Sequence, residues 1–417
     1  MPLKNDCFAL PAGVVWTPVD DALDDLRARL SPVTAVESVA LDAAQGRVLA
    51  RDVVAGVSLP PADNSAVDGY AVAHASLTPS GEQRLTLREG RAAAGAPFDG
   101  TVKPGEAVRI LTGAVMPDGT DSVVMDEDTE TGDGAIRFGS GLKPGANRRR
   151  AGEDIAAGDT ALVAGTRLGP AQMGRLASIG VARVEAFAPL RVAVFSTGDE
   201  LAEPGEALTP GRIYDANRAM LLALAKSQGV TALDHGRIPD RPEAIRAALI
   251  DAARGADAVV VSGGASGGDE DHVSRELSGM GAMALWRIAM KPGRPLALGQ
   301  IDGVPVFGLP GNPVAAFVCF AIFARPALLR LGGADWPEPV GHPLVARFSA
   351  RKKAGRTEYL RGRADGTGGV EKFRSDGSGL IGGLVWSDGL IALEHDRGVV
   401  EAGETVRFLP YAGFGFG

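Results

Sequence analysis

The sequence is poor in cysteine, and this shortage excludes two kinds of site. It contains 2 cysteines among 417 residues, Cys7 and Cys319, and they lie far apart in the chain. The chain therefore has neither a disulfide framework nor the closely spaced Cys and His residues of a zinc site. Because Cys319 stands inside an apolar, helix-like run, we expect it to be a buried thiol without a catalytic role.

The sequence also lacks an excess of positive charge and a hydrophobic run long enough to span a bilayer. Its 43 Lys and Arg residues and 51 Asp and Glu residues give a formal net charge of -8, which argues against a nucleic-acid-binding protein. The longest apolar run, residues 314–324, is too short for a transmembrane helix. No basic stretch followed by an apolar one, as in a signal peptide, stands at the N-terminus. These absences predict a cytoplasmic protein without nucleic-acid or membrane partners.

Changes of pattern along the chain predict several domains, as its length requires. Amphipathic helices are expected at residues 19–30 and 169–180, and short strand-like runs alternate with turns over residues 60–150 between them. From residue 190 strands alternate with helices, which predicts a three-layer α/β domain with a mostly parallel sheet. After residue 333 the chain becomes rich in glycine and short strands, which predicts a small β-domain.

The most informative segment is the loop that follows the β-branched run Val259–Val261. This run is typical of a buried parallel strand, and residues 262–271 after it contain four glycines and three carboxylates. Glycines let backbone N–H groups surround a bound anion, and carboxylates beside that anion suit a divalent cation that bridges them to a phosphate. The loop predicts a site for a phosphorylated ligand with Mg²⁺. A flexible surface loop is the alternative for this segment alone.

Charged residues follow the ends of the other predicted strands of the α/β domain. Glu200, Asp240, Lys291 and Arg294 all stand just beyond such ends, where ligands bind in open α/β sheets. We expect them to meet the glycine loop at one edge, where they suit a metal-bound phosphate and a second anion. Each also has a structural alternative: Asp240 as a helix N-cap, and Lys291 and Arg294 as solvated surface charges.

Six motifs, found in this order along the chain, carry a family resemblance. They are DNSAVDGYA at residues 63–71, RILTGA at 109–114, STGDEL at 196–201, the glycine loop at 262–271, KPGRP at 291–295 and GLPGNP at 308–313. The set resembles the molybdopterin molybdenumtransferases, the bacterial MoeA type that also forms the E domain of gephyrin. The resemblance covers nearly the whole chain.

The resemblance implies a multidomain α/β fold in an elongated homodimer. The implied domains are a discontinuous helical linking domain at residues 1–57 and 155–187, an inserted β-domain at 58–154, an α/β molybdopterin-binding domain at 188–333 and a C-terminal β-barrel at 334–417. The family pattern differs from this sequence in two places. Lysine is common where Arg287 stands, and valines are common at Ala265 and Gly267, but neither change removes positive charge or backbone donors.

The activity implied by the resemblance is the insertion of molybdenum, supplied as molybdate, into adenylylated molybdopterin, with release of AMP and a requirement for Mg²⁺. Tungstate has nearly the same size and charge as molybdate, so the sequence does not separate the two. The implied protein partners are the adenylyltransferase that supplies the substrate and the molybdoenzymes that receive the cofactor. Two rival functions are a molybdopterin adenylyltransferase, which is typically a single α/β domain, and a non-catalytic scaffold of the gephyrin type.

The resemblance also assigns site residues by their place in these motifs. The implied catalytic residues are Asp68, Thr112, Asp154, Glu200, Asp240 and Asp271, and three of these, Glu200, Asp240 and Asp271, are the implied Mg²⁺ ligands. Those implied to bind the molybdopterin and its phosphate are Ser262, Gly263, Gly264, Ser266, Gly267, Gly268, Pro310 and Pro313. Those implied to bind molybdate are Arg287, Lys291, Arg294, Arg356 and Ser378. Asp68 and Thr112 are expected to reach the site from the other subunit.

Overall fold

The computed structural model describes residues 16–264, 272–280, 283–293 and 295–416, without the side chains of 283–287 and 295. The chain forms an N-terminal region of short strands, a central α/β section and a C-terminal barrel. This arrangement confirms the predicted multidomain α/β class.

The N-terminal region is dominated by one β-sheet. Its elements are α1 (Val19–Arg29), β1 (Val36–Ala40), β2 (Val53–Val54), β3 (Asn64–Ser65), β4 (Gly69–Val72), β5 (Gln83–Ala92), β6 (Glu106–Ile110), β7 (Ser122–Met125), β8 (Thr129–Gly132), β9 (Ala135–Phe138), β10 (Arg148–Arg149), β11 (Thr160–Leu162), α2 (Pro170–Ser178) and β12 (Arg183–Phe187). Strands β7-β4-β6-β5-β9-β8, in that order, form the sheet of the predicted β insert. Strands β1 and β2, which precede the insert, pair antiparallel with β12 and β11, which follow it. These four strands and helix α2 are called the linking section.

Helix α1 packs on the α/β section rather than beside α2. Its buried residues Val19 and Leu26 belong to the same hydrophobic cluster as Phe320. The N–H of Ala289 donates to the carbonyl of Thr17 at 2.8 Å, which ties the start of the helix to the same section. The predicted domain boundaries stay a prediction, but these contacts place α1 with the α/β core and not with the linking section.

The central section is a three-layer α/β unit. Its elements are β13 (Arg191–Thr197), β14 (Leu201–Ala202), β15 (Ile213–Tyr214), α3 (Ala216–Ser227), β16 (Thr231–Ile238), α4 (Pro242–Gly255), β17 (Ala258–Ser262), α5 (His272–Gly279), β18 (Met283–Arg287), β19 (Met290–Lys291), β20 (Pro295–Ile301), β21 (Val304–Leu309), α6 (Pro313–Cys319) and α7 (Arg325–Leu331). The sheet order is β16-β13-β17-β21-β20-β18, with parallel pairing from β16 to β21 and antiparallel pairing beyond. Helices α3 and α6 cover one face, and α4 and α5 cover the other. The predicted three layers and mostly parallel sheet are confirmed.

The longest helical stretch lies in the middle of this unit. Helices α6 and α7 are joined by a π-helical turn, and the combined stretch Pro313–Leu331 is, within the described residues, the one helix long and apolar enough to cross a membrane. However, 94% of an 18-residue window of this stretch is buried inside the protein, as in a core helix. The helical stretch is longer than the apolar run 314–324 in the sequence. Arg325, which follows that run, is buried, and the helix continues through it. Cys319 is fully buried, as predicted, and burial raises the pKa of its thiol to about 12.

The C-terminal section is a closed barrel. Its elements are β22 (His342–Ala346), β23 (Ala350–Arg351), β24 (Thr357–Ala364), β25 (Gly369–Lys372), α8 (Gly382–Trp386), β26 (Gly389–Leu393), β27 (Val399–Val400) and β28 (Thr405–Pro410). Strands β24-β25-β22-β28-β26 pair in sequence, and the pairing of β26 with β24 closes the circle. Strand β19 of the central section adds to this barrel beside β24. The predicted C-terminal β-barrel is confirmed.

Candidate functional site

A cleft of about 890 Å³ opens at the carboxyl ends of the parallel strands. This is where ligands bind in open α/β sheets, because the connecting loops diverge there. Its lining includes residues that the sequence predicted, namely Glu200, Asp240, Ser262, Gly263, Gly264 and Pro313. It also includes residues to which the sequence analysis assigned no site role: Thr197 and Gly311, which lie within the STGDEL and GLPGNP motifs, and Tyr214, Asp215, Asn217 and Ile381, which lie outside the motifs. The cleft is large enough for an organic ligand of nucleotide size.

The second and third residues of the glycine loop, Gly263 and Gly264, must be glycine. Gly263 has φ +100°, and a Cβ added there would lie 2.5 Å from the carbonyl oxygen of Thr197. Gly264 has φ +63°, and its Cβ would lie 2.8 Å from Cγ2 of Val273. Backbone and side chain therefore crowd both positions, so that only a residue without a Cβ keeps the loop against the strand ends. The other predicted loop residues, Ser266, Gly267, Gly268 and Asp271, lie outside the described residues.

A Gly263→Ala substitution is expected to lower the free energy of unfolding by about 1–3 kcal/mol, because the new Cβ strains a left-handed backbone and meets a carbonyl. The matched control is Gly279→Ala in helix α5, where an added Cβ has nothing within 4 Å. Urea denaturation of both variants measures the difference. A Gly263→Ala protein as stable as the control would show that the loop relaxes around the methyl group.

Two carboxylates face the cleft from different loops. Glu200 is exposed, and its backbone carbonyl accepts a hydrogen bond of 2.8 Å from the N–H of Ile213, which holds its loop to β15. Asp240 follows β16, and its N–H donates to Oδ1 of Asp199 at 3.1 Å. The N-cap alternative for Asp240 is wrong, because the N-cap of α4 is Arg241 and it has no side-chain cap. The sheet thus brings two of the three predicted Mg²⁺ ligands to one cleft.

The loop that carries Glu200 is anchored by Arg218, which the sequence analysis missed. Its guanidinium donates to both oxygens of Asp234, at 2.6 and 2.7 Å, to Asp215 at 3.2 Å, and to Glu203. Asp215 in turn caps helix α3 through the N–H of Arg218 and accepts the hydroxyl of Ser196. Burial alone would lower the pKa of Arg218, but its hydrogen bonds to the carboxylates raise that pKa above the usual value. The loop is therefore held to β16 and α3.

Predicted molybdate ligands meet at the junction with the barrel. Nζ of Lys291 lies 3.5 Å from Oε2 of Glu358 and 3.6 Å from Oδ2 of Asp376. Arg356 donates to Oε1 of Glu358 at 2.8 and 2.6 Å, and both of these side chains are buried. Lys291 and Arg356 are therefore brought together by Glu358, a residue that was not predicted. Arg294 and the side chain of Arg287 lie outside the described residues.

Ser378 lies where the barrel meets the cleft. Its carbonyl accepts a hydrogen bond of 3.0 Å from the N–H of Val314 in the first turn of α6, and the next residue, Gly379, lines the cleft. The segment is held by Arg361, which donates to the carbonyls of Gly377 and Leu380 at 3.1 and 2.9 Å. Burial lowers the pKa of Arg361. The barrel thus forms one wall of the cleft.

Three predicted catalytic residues of the N-terminal region do not line the cleft. They are Asp68, Thr112 and Asp154. Oδ1 of Asp68 accepts the N–H and the hydroxyl of Thr112 at 2.7 and 2.8 Å, and these hydrogen bonds lower the pKa of Asp68. Asp154 forms a two-pronged ion pair with Arg175 of α2, at 2.7 and 3.1 Å. Among the described lining residues of the cleft, none comes from the N-terminal region. The fold brings Asp68 and Thr112 to each other but not to the cleft of their own chain.

The N-terminal region, the α/β section and the barrel each match a known family model. Residues 17–180 match the family model of the MoeA N-terminal region (domain I and II), 193–330 match that of a probable molybdopterin binding domain, and 343–411 match that of the MoeA C-terminal region (domain IV). The molybdopterin molybdenumtransferase of Haemophilus influenzae is 39% identical over 94% of this chain and 98% of its own. Molybdopterin molybdenumtransferase 2 of Mycobacterium tuberculosis is 36% identical over 89% of this chain and 94% of its own.

A solved structure agrees with these matches. The molybdopterin biosynthesis MoeA protein of Pyrococcus horikoshii superposes with a TM-score of 0.83 and 28% identity, over 95% of this chain and 100% of that protein. Sequence and fold therefore match along nearly the full length, and not only in the α/β section. The chain belongs to the MoeA family of molybdopterin molybdenumtransferases.

Proposed function

We propose that this protein transfers molybdenum from molybdate to adenylylated molybdopterin and releases AMP, within the molybdenum cofactor biosynthesis of its family. One observation carries the proposal. The described lining of the cleft combines a glycine cradle with the carboxylates Glu200, Asp215 and Asp240, and it includes no Lys or Arg. A phosphate can bind in such a cleft only if backbone amides and a cation offset the negative charge.

The donor set fits Mg²⁺ as that cation. Mg²⁺ is commonly bound through one or two carboxylates together with substrate phosphates and water, rather than by a cage of protein side chains. Glu200 and Asp240 supply two carboxylates, and Asp271 is the third predicted ligand. No group of three or more His, Cys, Asp or Glu side chains that could hold a metal ion occurs in the part of the chain that the structure describes. When bound, Mg²⁺ would offset charge on the phosphoanhydride as it breaks.

The remaining chemistry follows from the residues that surround the cleft. The amide of Gly264 and the hydroxyl of Ser262 are proposed to hold the phosphate, because the N–H of Gly263 already donates to the carbonyl of Leu309 at 3.1 Å. The rest of the cleft orients the pterin substrate. Bringing the oxyanion against the pterin sulfurs is mainly a matter of proximity. A carboxylate such as Glu200 or Asp240 then accepts and returns protons as oxo groups leave as water. Cys319 is buried, and burial raises the pKa of its thiol to about 12, so the proposed mechanism gives Cys319 no role.

We place the oxyanion at the junction with the barrel. Lys291 and Ser378 support this position, because Lys291 lies against Asp376 and Ser378 follows two residues later beside the cleft. Arg287, Arg294 and Arg356 are proposed as further cationic ligands of the dianion, whether molybdate or tungstate. Fixed cations and hydroxyls are the groups that a tetrahedral oxyanion requires.

We also propose a cytoplasmic homodimer that receives its substrate from an adenylyltransferase and passes the cofactor to molybdoenzymes. Four valines of the linking section and its neighbouring loops are half exposed, and they support a dimer contact there. These are Val36 at 47%, Val54 at 53%, Val57 at 49% and Val163 at 54%. Other large apolar side chains are exposed as well, such as Val385 at 86% in the barrel, so the proposed dimer rests more on Asp68 and Thr112, which do not line the cleft of their own chain.

The proposed reaction is tested by incubating the purified protein with adenylylated molybdopterin, Mg²⁺ and molybdate, and measuring AMP. We expect one AMP for each cofactor formed, no AMP after chelation of the metal, and comparable release with tungstate. Omission of the oxyanion serves as the control and should leave the adenylylated substrate intact. AMP release that is independent of both oxyanion and metal would show a simple hydrolase and contradict the proposal.

A further inference from the structure

Asn217 lines the cleft, although none of the six family motifs includes it. It is the second residue of helix α3. Its side-chain Nδ2 donates to Oγ of Ser262 at 2.8 Å and to the carbonyl of Gly311 at 2.7 Å. One amide therefore ties the start of the glycine loop to the loop that precedes α6.

These two bonds determine what the Ser262 hydroxyl can do. Because Oγ of Ser262 accepts a hydrogen from Asn217, the hydroxyl's own hydrogen must point elsewhere. Within the described chain, the acceptor that the structure places in reach is the carbonyl of Pro310, at 3.5 Å, the outer limit for a hydrogen bond. The hydroxyl is thus a poorly satisfied donor at the end of β17, beside Gly263 and in the wall of the cleft.

We propose that Asn217 is a positioning residue that directs the Ser262 hydroxyl to donate to a phosphate oxygen of the substrate. The inference rests on the proposed function, since it needs a phosphorylated ligand in the cleft. The charge of the cleft supports it. Where the described lining offers no Lys or Arg, each hydroxyl and amide that donates to the phosphate matters more.

A purely structural role for Asn217 makes a different prediction. An Asn217→Asp side chain has nearly the same shape but can only accept, so it would take the hydroxyl's hydrogen and turn it away from the phosphate. It would also place a negative charge beside the anion. Asn217→Ala removes both bonds but leaves the hydroxyl of Ser262 able to rotate toward the ligand. If Asn217 only joined the two loops, its loss would weaken AMP binding whether or not the Ser262 hydroxyl is present. The double variant with Ser262→Ala therefore separates the two roles better than the added charge of aspartate does.

The test is calorimetric titration of the full-length protein, in the presence of Mg²⁺, with AMP and with adenosine. We expect Asn217→Asp to weaken AMP binding by roughly 30- to 100-fold and Asn217→Ala by about 10-fold, as for hydrogen bonds to a charged group. Adenosine has no phosphate, so its affinity should change by less than about 3-fold in both variants. Lys226→Ala, an exposed position near the other end of α3, is the control.

Ser262→Ala provides the second line of test, and as a single variant it does not depend on how the Asn217 variants fold. It should weaken AMP binding by about 10-fold, and the double variant Asn217→Ala/Ser262→Ala should bind no worse than Ser262→Ala, because the first residue acts through the second. Three results would each overturn the inference: AMP affinity unchanged in Ser262→Ala, additive losses in the double variant, or equal losses for AMP and adenosine. Failure of the unaltered protein to bind AMP would instead count against the proposed function itself.

Discussion

Replacement of Glu200 by glutamine is expected to lower the rate of AMP release by roughly 10²- to 10⁴-fold, the range typical of a lost catalytic acid or base. Glutamine keeps the shape of the side chain, removes its charge and replaces one accepting oxygen by an NH2 donor. Of the carboxylates in the described lining, Asp215 is buried and committed to Arg218 and to the cap of α3. Glu200 and Asp240 remain to hold the cation, so the loss of either should be severe.

The control for this experiment is Glu243→Gln. Glu243 is an exposed residue in the first turn of α4, three residues after Asp240, and it does not line the cleft. Thermal unfolding should be alike in both variants, because Glu200 is exposed and its loop is held by backbone bonds and by Arg218. The Mg²⁺ concentration for half-maximal rate should rise in Glu200→Gln alone. A rate within about 2-fold of the unaltered protein at the same Mg²⁺ would show that Glu200 is not a metal ligand.

The sequence predicted the α/β section well because its signals are local. A β-branched run such as Val259–Val261 is buried on both faces in a parallel sheet, and the residues just past each strand end must reach the same edge. Glu200, Asp240, Gly263 and Gly264 meet there in the structure. Strand order was not needed for this prediction, since all carboxyl ends of parallel strands point the same way.

Contacts between segments that lie far apart in the chain could not be predicted from these local signals. The amphipathic stripe of α1 shows that one face is buried, but it does not say against which section. Lys291 was predicted at the edge of the α/β sheet, whereas β19 pairs with β24 of the barrel and sets Lys291 directly beside Glu358. Asn217 was missed because an asparagine in the first turn of a helix reads as an ordinary helix start.

Mixing two inactive variants, Asp68→Ala and Glu200→Ala, is expected to restore activity. Asp68 and Thr112 bond to each other in the β insert, and the cleft that contains Glu200 is lined, among its described residues, only by the central section and the barrel. If the β insert of one subunit covers the cleft of the other, each dimer has two sites built from both chains. Each variant homodimer then has a defect in both sites.

A heterodimer of the two variants would hold one site with both defects and one site with neither. Its rate should reach about half of the unaltered dimer if the two sites act independently. The control mixes Asp68→Ala with Thr112→Ala, which should restore nothing under the same model, because both defects lie on the β insert and every site keeps one. Heterodimers are confirmed by mass before the rates are compared. If the first mixture stays inactive although heterodimers are present, Asp68 does not serve the partner's cleft, and the description of a shared site must be abandoned.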